Sequence, residues 1–235
     1  MLNSKLKVLT DKIHDRVLRR KVIELLENPT FEIGGQDYKG LPLEASPGGL
    51  SRHHGYAGGY IEHVISTANI ALAMCVSVEN VYHGKVNRDL VVAGVLLHDI
   101  FKTVTYTVDK NGNYSSTSLA EYLDHLSIAT SELVRRGFPL DLVHIVSAHH
   151  GEYGPIRPRT LEALICHLAD LTDSRLNGEV MSAAAYLSRR ATNQELFGLT
   201  SKEAFEIVHS KSIEGWDGVA KTVEKIRRRR KAHKT

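Results

Sequence analysis

"VVAGVLLHDIFK", Val91 to Lys102, sets seven consecutive apolar or small residues directly before a histidine–aspartate pair and a lysine. A run of that kind reads as a buried helix. An imidazole and a carboxylate are costly to desolvate unless they are paired, so its end is an odd place for both. Either the helix simply surfaces at His98, or a metal ion receives the two groups there.

The 235 residues are 42% hydrophobic and 24% charged, the profile of a globular chain long enough for one large domain or two small ones. No apolar run is expected to reach the roughly 18 residues that span a bilayer. The N-terminal "MLNSKLKVLTDKIHDR" lacks the apolar core of a secretion signal. Cys75 and Cys166 each lie in an apolar segment, which favours buried thiols in a reducing compartment and leaves a disulfide open. A cytoplasmic protein without a membrane partner is expected. The net charge of +3 is unevenly spread. The last twelve residues, "EKIRRRRKAHKT", carry seven Lys or Arg against one Glu, while the remainder sums to −3 (23 basic against 26 acidic).

Leu6, Leu9, Ile13 and Val17 predict one amphipathic helix that stops near Pro29. That helix would cover its own core or pair with a second subunit, so a homo-oligomer stays open. From Phe31 to Gly59 the abundance of Gly and Pro predicts loop. Helices are expected at about 60–76 and 88–100, and a hairpin in "TVTYTVDKNGNYSST" around Asn111-Gly112. Further helices are expected at 118–136, 139–148 and 160–176, the last with Thr160 as N-cap and a stop at Asn177-Gly178. Two or three more run to the basic end. The fold class is mostly α, a helical bundle with one small β-hairpin.

The 13 histidines are many for this length, and their positions matter more than their number. His63 shares a helical face with Thr67, Ile70 and Met74, so it points toward the core. His98-Asp99 ends the buried helix, His125 lies in the apolar-periodic "LDHLSIAT", and His149-His150 ends "LDLVHIVSAHH". His167, Asp170 and Asp173 follow one another at intervals of three on one helix face. Each alone is explained as a core histidine or a solvated acid. Together, on five separate helices, they suit Mn, Fe, Co, Ni or Zn, and so many buried imidazoles are hard to satisfy otherwise.

In these residues the chain resembles the HD-domain metal-dependent phosphohydrolases. The likeness is carried by His63, His98-Asp99, His125, His149-His150 and Asp170, and by "HHGYAGGYIEHVISTA", "NRDLVVAGVLLHDIFK", "SAHHGEYG" and "TLEALICHLADLTDS". The wording is most similar to the catalytic domain of the HD-type 3′→5′ exoribonucleases and related nucleotide phosphodiesterases, over about Arg52 to Leu176. The resemblance implies a helical HD core at 51–177, an N-terminal helix and loop at 1–50, and C-terminal helices with a basic tail at 178–235.

It also implies roles. His63, His98, Asp99 and Asp170 would ligate a first divalent transition metal ion. His125 with one or both of His149 and His150 would hold a second. Metal-bound hydroxide would attack phosphorus, with Asp99 and Lys102 at the catalytic centre. Arg52, His53, His54, Lys102 and Asp173 would contact substrate. Two departures bear on this. Phe101 stands where the family usually has Gly, so a bulky ring is expected to reshape the pocket or shift Lys102. The first 50 residues are also too little for the five-stranded OB barrel that those exoribonucleases carry.

The expected activity is hydrolysis of phosphodiester bonds in nucleotides, cyclic nucleotides or short RNA. A nucleotide phosphomonoesterase would use the same ions. A non-catalytic sensor of metal or nucleotide, or an RNA-binding protein working through "RRRRK", is the rival of another class, although the complete ligand set argues against a degenerate site.

Overall fold

The computed structural model describes residues 2–50 and 53–232. Its centre is α4 (Arg88–Leu97). The Asn87 side chain caps it by accepting from Leu90 N, and every residue from Val91 to Leu97 is buried. A helix buried on all sides must be surrounded, and α4 touches α1 (Ser4–Thr10), α2 (Arg16–Glu27), α3 (Gly59–Asn80), α7 (Leu140–Ser147) and α8 (Leu161–Thr192). Gly94 is required there: a Cβ would lie 2.4 Å from Ile145 Cγ2 on α7 (Leu140–Ser147).

Two long helices flank α4: α3 (Gly59–Asn80) and the 32-residue α8 (Leu161–Thr192). By length and composition α3 would pass for a membrane-spanning helix, contrary to the expectation that no run approaches that size. Here its face of His63, Val64, Thr67, Ala68, Ala71 and Cys75 is buried in the fold. Both cysteines are buried free thiols.

The N-terminal helix is two helices, α1 (Ser4–Thr10) and α2 (Arg16–Glu27). Asp15 interrupts the periodicity: its carboxylate accepts from Val17 N and Leu18 N and starts a new helix. Asp89, in the first turn of α4, accepts from the backbone N of His14 and Asp15. Val17 is consequently 57% exposed, whereas Leu6, Leu9, Ile13, Leu18, Val22, Leu25 and Leu26 join the main core.

The stretch expected as loop holds a second hairpin, β1 (Thr30–Ile33) with antiparallel β2 (Gln36–Lys39). Its turn residues Gly34 and Gly35 both have positive φ, as a two-residue turn of the primed type requires. The expected hairpin is β3 (Tyr106–Val108) with β4 (Tyr114–Ser116), following the single-turn α5 (Lys102–Thr105). The expected helix at 118–136 is a 3-10 turn at Ser118–Glu121 and then α6 (His125–Arg135), which Asp124 caps through Ser127 N. His125 therefore opens its helix.

Helix α8 runs through Asn177-Gly178 without stopping, so the expected cap is absent and residue 177 falls inside the helix. The reason is a partner for its far half. Helix α9 (Ser201–Ala232) reverses at Gly215 (φ 69°, ψ −149°), and its two arms share a second core with α8 built on Ala184, Ala204, Ile207, Val219, Val223 and Ile226. The basic run belongs to this hairpin. Arg229 Nη2 lies 2.6 Å from Glu206 Oε2, and Arg230 Nε donates to Glu203 Oε1 at 3.0 Å.

Candidate metal centre

Three imidazoles enter the bundle interior in the same tautomer. His98, the C-cap of α4, donates from Nδ1 to Val95 O at 2.7 Å. His149, just past α7, repeats this with Val146 O at 2.7 Å. His63 on α3 has Nδ1 2.7 Å from Asp173 Oδ2. Each ring is locked at Nδ1, so Nε2 is the atom offered to the centre. His63 Nε2 and His98 Nε2 stand 3.1 Å apart. Because the other nitrogen of each ring is already engaged, only a positive species, a proton or a metal ion, fits between them.

Asp99 joins two sets of ligands. Its Oδ2 lies 3.5 Å from His63 Nε2 and 3.4 Å from His98 Nε2. Asp170 Oδ1, from α8, completes that set at 3.2 Å from His63 Nε2. The opposite oxygen, Asp99 Oδ1, lies 3.4 Å from His125 Nε2 and 3.6 Å from His149 Nε2, with His150 alongside. The atoms themselves test how a metal ion would fit. Asp99 Oδ1, His125 Nε2 and His149 Nε2 are buried with no hydrogen-bond partner among the described residues. Orphaned polar atoms cost about 1–3 kcal/mol each, and an imidazole/carboxylate donor set of this kind fits a divalent transition metal.

The electrostatics also call for positive charge. Burial pushes the Asp99 carboxyl up, but Lys102, His98, His125 and His149 outweigh it and hold it well below the usual range. Asp170 is likewise held low against burial, by His63 and His98. His63 is raised despite full burial because Asp170, Asp173 and Asp99 surround it. Burial, reinforced by neighbouring His149, lowers His150 to about 4. Lys102 Nζ sits 2.6 Å from Asp99 Oδ2 and 3.1 Å from Gly48 O, and Asp99 keeps its pKa raised against burial.

The expected ligands His63, His98, Asp99, His125, His149, His150 and Asp170 thus all converge. The expected substrate contacts divide. Lys102 is at the centre, and the His53 ring lies at its edge, 5.4 Å from the His63 ring. Asp173 is 3% exposed and its carboxylate is turned onto Nδ1 of His63, on the side of that ring away from His98. His54 is also 3% exposed, turned inward at φ 48°, with its backbone N bonded to Asn177 Oδ1. Burial and then His63 lower both pKa values, to about 4 for His53 and about 3 for His54. Arg52 lies outside the described residues. Phe101 is wholly buried in the main core, so it does not reshape the pocket as expected. Asn177 and the carbonyls of Val95 and Val146 were not foreseen. The acid–amide stripe at 170, 173 and 177, with helical spacing, was the one available signal.

Comparison with known proteins agrees with this geometry. A family model described as HD domain matches residues 60–175. A dihydroneopterin 2′,3′-cyclic phosphate phosphodiesterase of Methanocaldococcus jannaschii is 38% identical over 219 residues, 92% of this chain and 85% of that protein. The 3′-5′ exoribonuclease YhaM of Listeria monocytogenes serotype 4b is 36% identical over 146 residues, 56% of this chain and 43% of that protein. The same enzyme of Bacillus licheniformis is 35% identical over 146 residues. No solved structure matches. Ligand geometry and sequence kinship together assign the chain to the HD-domain family of metal-dependent phosphohydrolases.

Proposed function

We propose that this phosphohydrolase opens a cyclic phosphodiester on a small molecule, using two divalent ions. The observation that carries the two-ion reading is the division of Asp99, one oxygen to each ligand set, with the outer oxygen and two Nε2 atoms left without a hydrogen bond among the described residues. The diester preference follows the Methanocaldococcus relative, whose match extends over nearly the whole chain.

Bound there, the ions would supply Lewis acidity toward a phosphoryl oxygen and a lowered pKa for water. His63, His98, Asp99 and Asp170 hold one ion; Asp99, His125, His149 and His150 hold the other. Asp173 keeps His63 in the ligating tautomer. Lys102 donates to Asp99 and to Gly48 O and presents its third N–H to the substrate phosphate, whose negative charge it offsets. His53, neutral near pH 7, lines the edge where substrate enters. The two free buried thiols support a reducing, cytoplasmic setting.

Cleavage of short RNA from the 3′ end is the second reading, after the exoribonuclease relatives. It is weakened because Arg229 and Arg230 are engaged by Glu206 and Glu203. The test is turnover by protein loaded separately with Mn, Fe, Co, Ni or Zn, on a 2′,3′-cyclic nucleotide, bis-p-nitrophenyl phosphate, p-nitrophenyl phosphate and a short RNA. The cyclic and bis-esters should be cleaved and the monoester left intact. Faster turnover of the monoester would replace this reading with a phosphatase, and preference for RNA would favour the second.

A further inference from the structure

Helix α8 presents Asp170, Asp173 and Asn177 on one stripe, at offsets of three and four. The first belongs to the ligand set and the second orients His63. Asn177 touches neither ion set, yet it is 4% exposed with both ends of its amide used. Its Oδ1 accepts from His54 N at 3.0 Å, and its Nδ2 donates to Ser201 Oγ at 2.6 Å. The Ser201 hydroxyl meets the Tyr56 hydroxyl, which donates to Glu62 Oε2 at 2.5 Å. Amide to serine, serine to tyrosine and tyrosine to carboxylate make a chain in which each hydroxyl gives one proton and receives one. It begins on α8, passes through the first residue of α9 and ends on α3, one residue before the ligand His63.

What this chain holds is the loop that edges the centre. His54 is a non-glycine residue at φ 48°, a conformation that persists only when its surroundings enforce it. Its carbonyl accepts from Gly48 N at 2.9 Å, and Gly48 O in turn accepts from Lys102 Nζ. The bond from Asn177 to His54 therefore fixes the neighbouring His53 and, through Gly48, the seat of Lys102.

We propose that Asn177 is a positioning residue: its amide, braced by Ser201 of α9, holds the His53–His54 loop so that His53 and Lys102 face the substrate beside the metal ligands. The role concerns substrate, not ions. It makes the C-terminal helical hairpin a brace for the catalytic edge. Only its kinetic consequence rests on the diesterase reading.

The test compares metal-loaded wild type, Asn177→Ala, Ser201→Ala and the double variant. Asn177→Ala should keep the wild-type ion content by mass spectrometry. Amide exchange at residues 48–50 and 53–58 should speed up about tenfold, the loss expected for one buried hydrogen bond, while α4 and α7 exchange as in wild type. With a 2′,3′-cyclic nucleotide, KM should rise about tenfold with a smaller fall in kcat, and the double variant should fall short of the two single effects combined. Unchanged exchange at 48–50 and 53–58, lost ions, or uniformly faster exchange throughout the chain would overturn the assignment. A wild type inactive on the cyclic phosphate would instead sink the diesterase reading, leaving ion content and exchange to judge Asn177.

Discussion

Stripping divalent ions with a chelator should lower the melting temperature by about 10 °C, for a chain of this length. Three buried atoms, Asp99 Oδ1, His125 Nε2 and His149 Nε2, have no hydrogen-bond partner among the described residues. At about 1–3 kcal/mol for each unmet group, their combined penalty is on the order of 5 kcal/mol, which an ion relieves in the folded state alone. For 235 residues the entropy of melting is about 0.5 kcal/mol/K, so that free energy corresponds to the shift given. The assay is calorimetry of chelated protein against protein reloaded with each ion in turn, with bound metal counted by mass spectrometry. The shift should grow with ion concentration, as binding to the native state alone requires. Asp99→Ala removes the carboxylate shared by both ligand sets, so most of the ion-dependent shift should vanish with the bound metal. A wild type that binds ions yet melts at one temperature with and without them would refute the reasoning. So would Asp99→Ala with the full shift.

Lys102→Ala should lower turnover of a cyclic phosphate about a hundredfold, the usual loss for one charged group at a developing phosphoryl charge, with ion content retained; loss of the ions instead would make Lys102 a support for Asp99. Glu132, 1% exposed on α6, gives a pH test away from the centre. Burial pushes its carboxyl up, but Arg135 and Arg136 outweigh burial and hold it below the usual range. A depressed carboxyl stabilises above its unfolded value, near about 4.3, and loses that contribution as pH falls through its folded value. Glu132→Gln should cost about 2 kcal/mol in denaturant melts at pH 7, with the difference from wild type closing under acid; a difference that persists under acid would show that the ion pairs are not its source. Gly59→Ala would set a Cβ 2.0 Å from His54 O, so it should destabilise by about 3 kcal/mol and raise KM with it; a neutral variant would mean the 48–59 loop shifts freely.

Much of the site was legible because metal ligands carry their own pattern. His63, His98-Asp99, His125, His149-His150 and Asp170 have residue types and burial that no ordinary core needs in such number, and all of them meet. Local structure was less legible wherever a few polar atoms override periodicity. Asp15 divides one apolar pattern into two helices by capping at the cost of continuity. Asp124 similarly opens α6 at His125. Gly34-Gly35 turns a hairpin, but the abundance of Gly and Pro from Phe31 to Gly59 reads as loop. Asn177-Gly178 reads as a helix stop because local propensity favours one. The helix continues because α9 covers its far half and Ser201 and His54 satisfy the Asn177 amide.

The sequence by itself determined the helical class, the buried α4 and the set of imidazoles and carboxylates that converge on one centre, since burial and donor chemistry are properties of residue type and spacing. Only the tertiary structure decided which of these groups face the centre and which stand behind it. Asp173 and His54 have the chemistry of substrate contacts, and Phe101 the bulk to alter a pocket, yet all three are turned into the protein. Orientation depends on which nitrogen, carbonyl or apolar surface each side chain meets across distances of more than a hundred residues, as in His63 with Asp173 and His54 with Asn177. No local pattern encodes such a meeting; it is set when the helices pack.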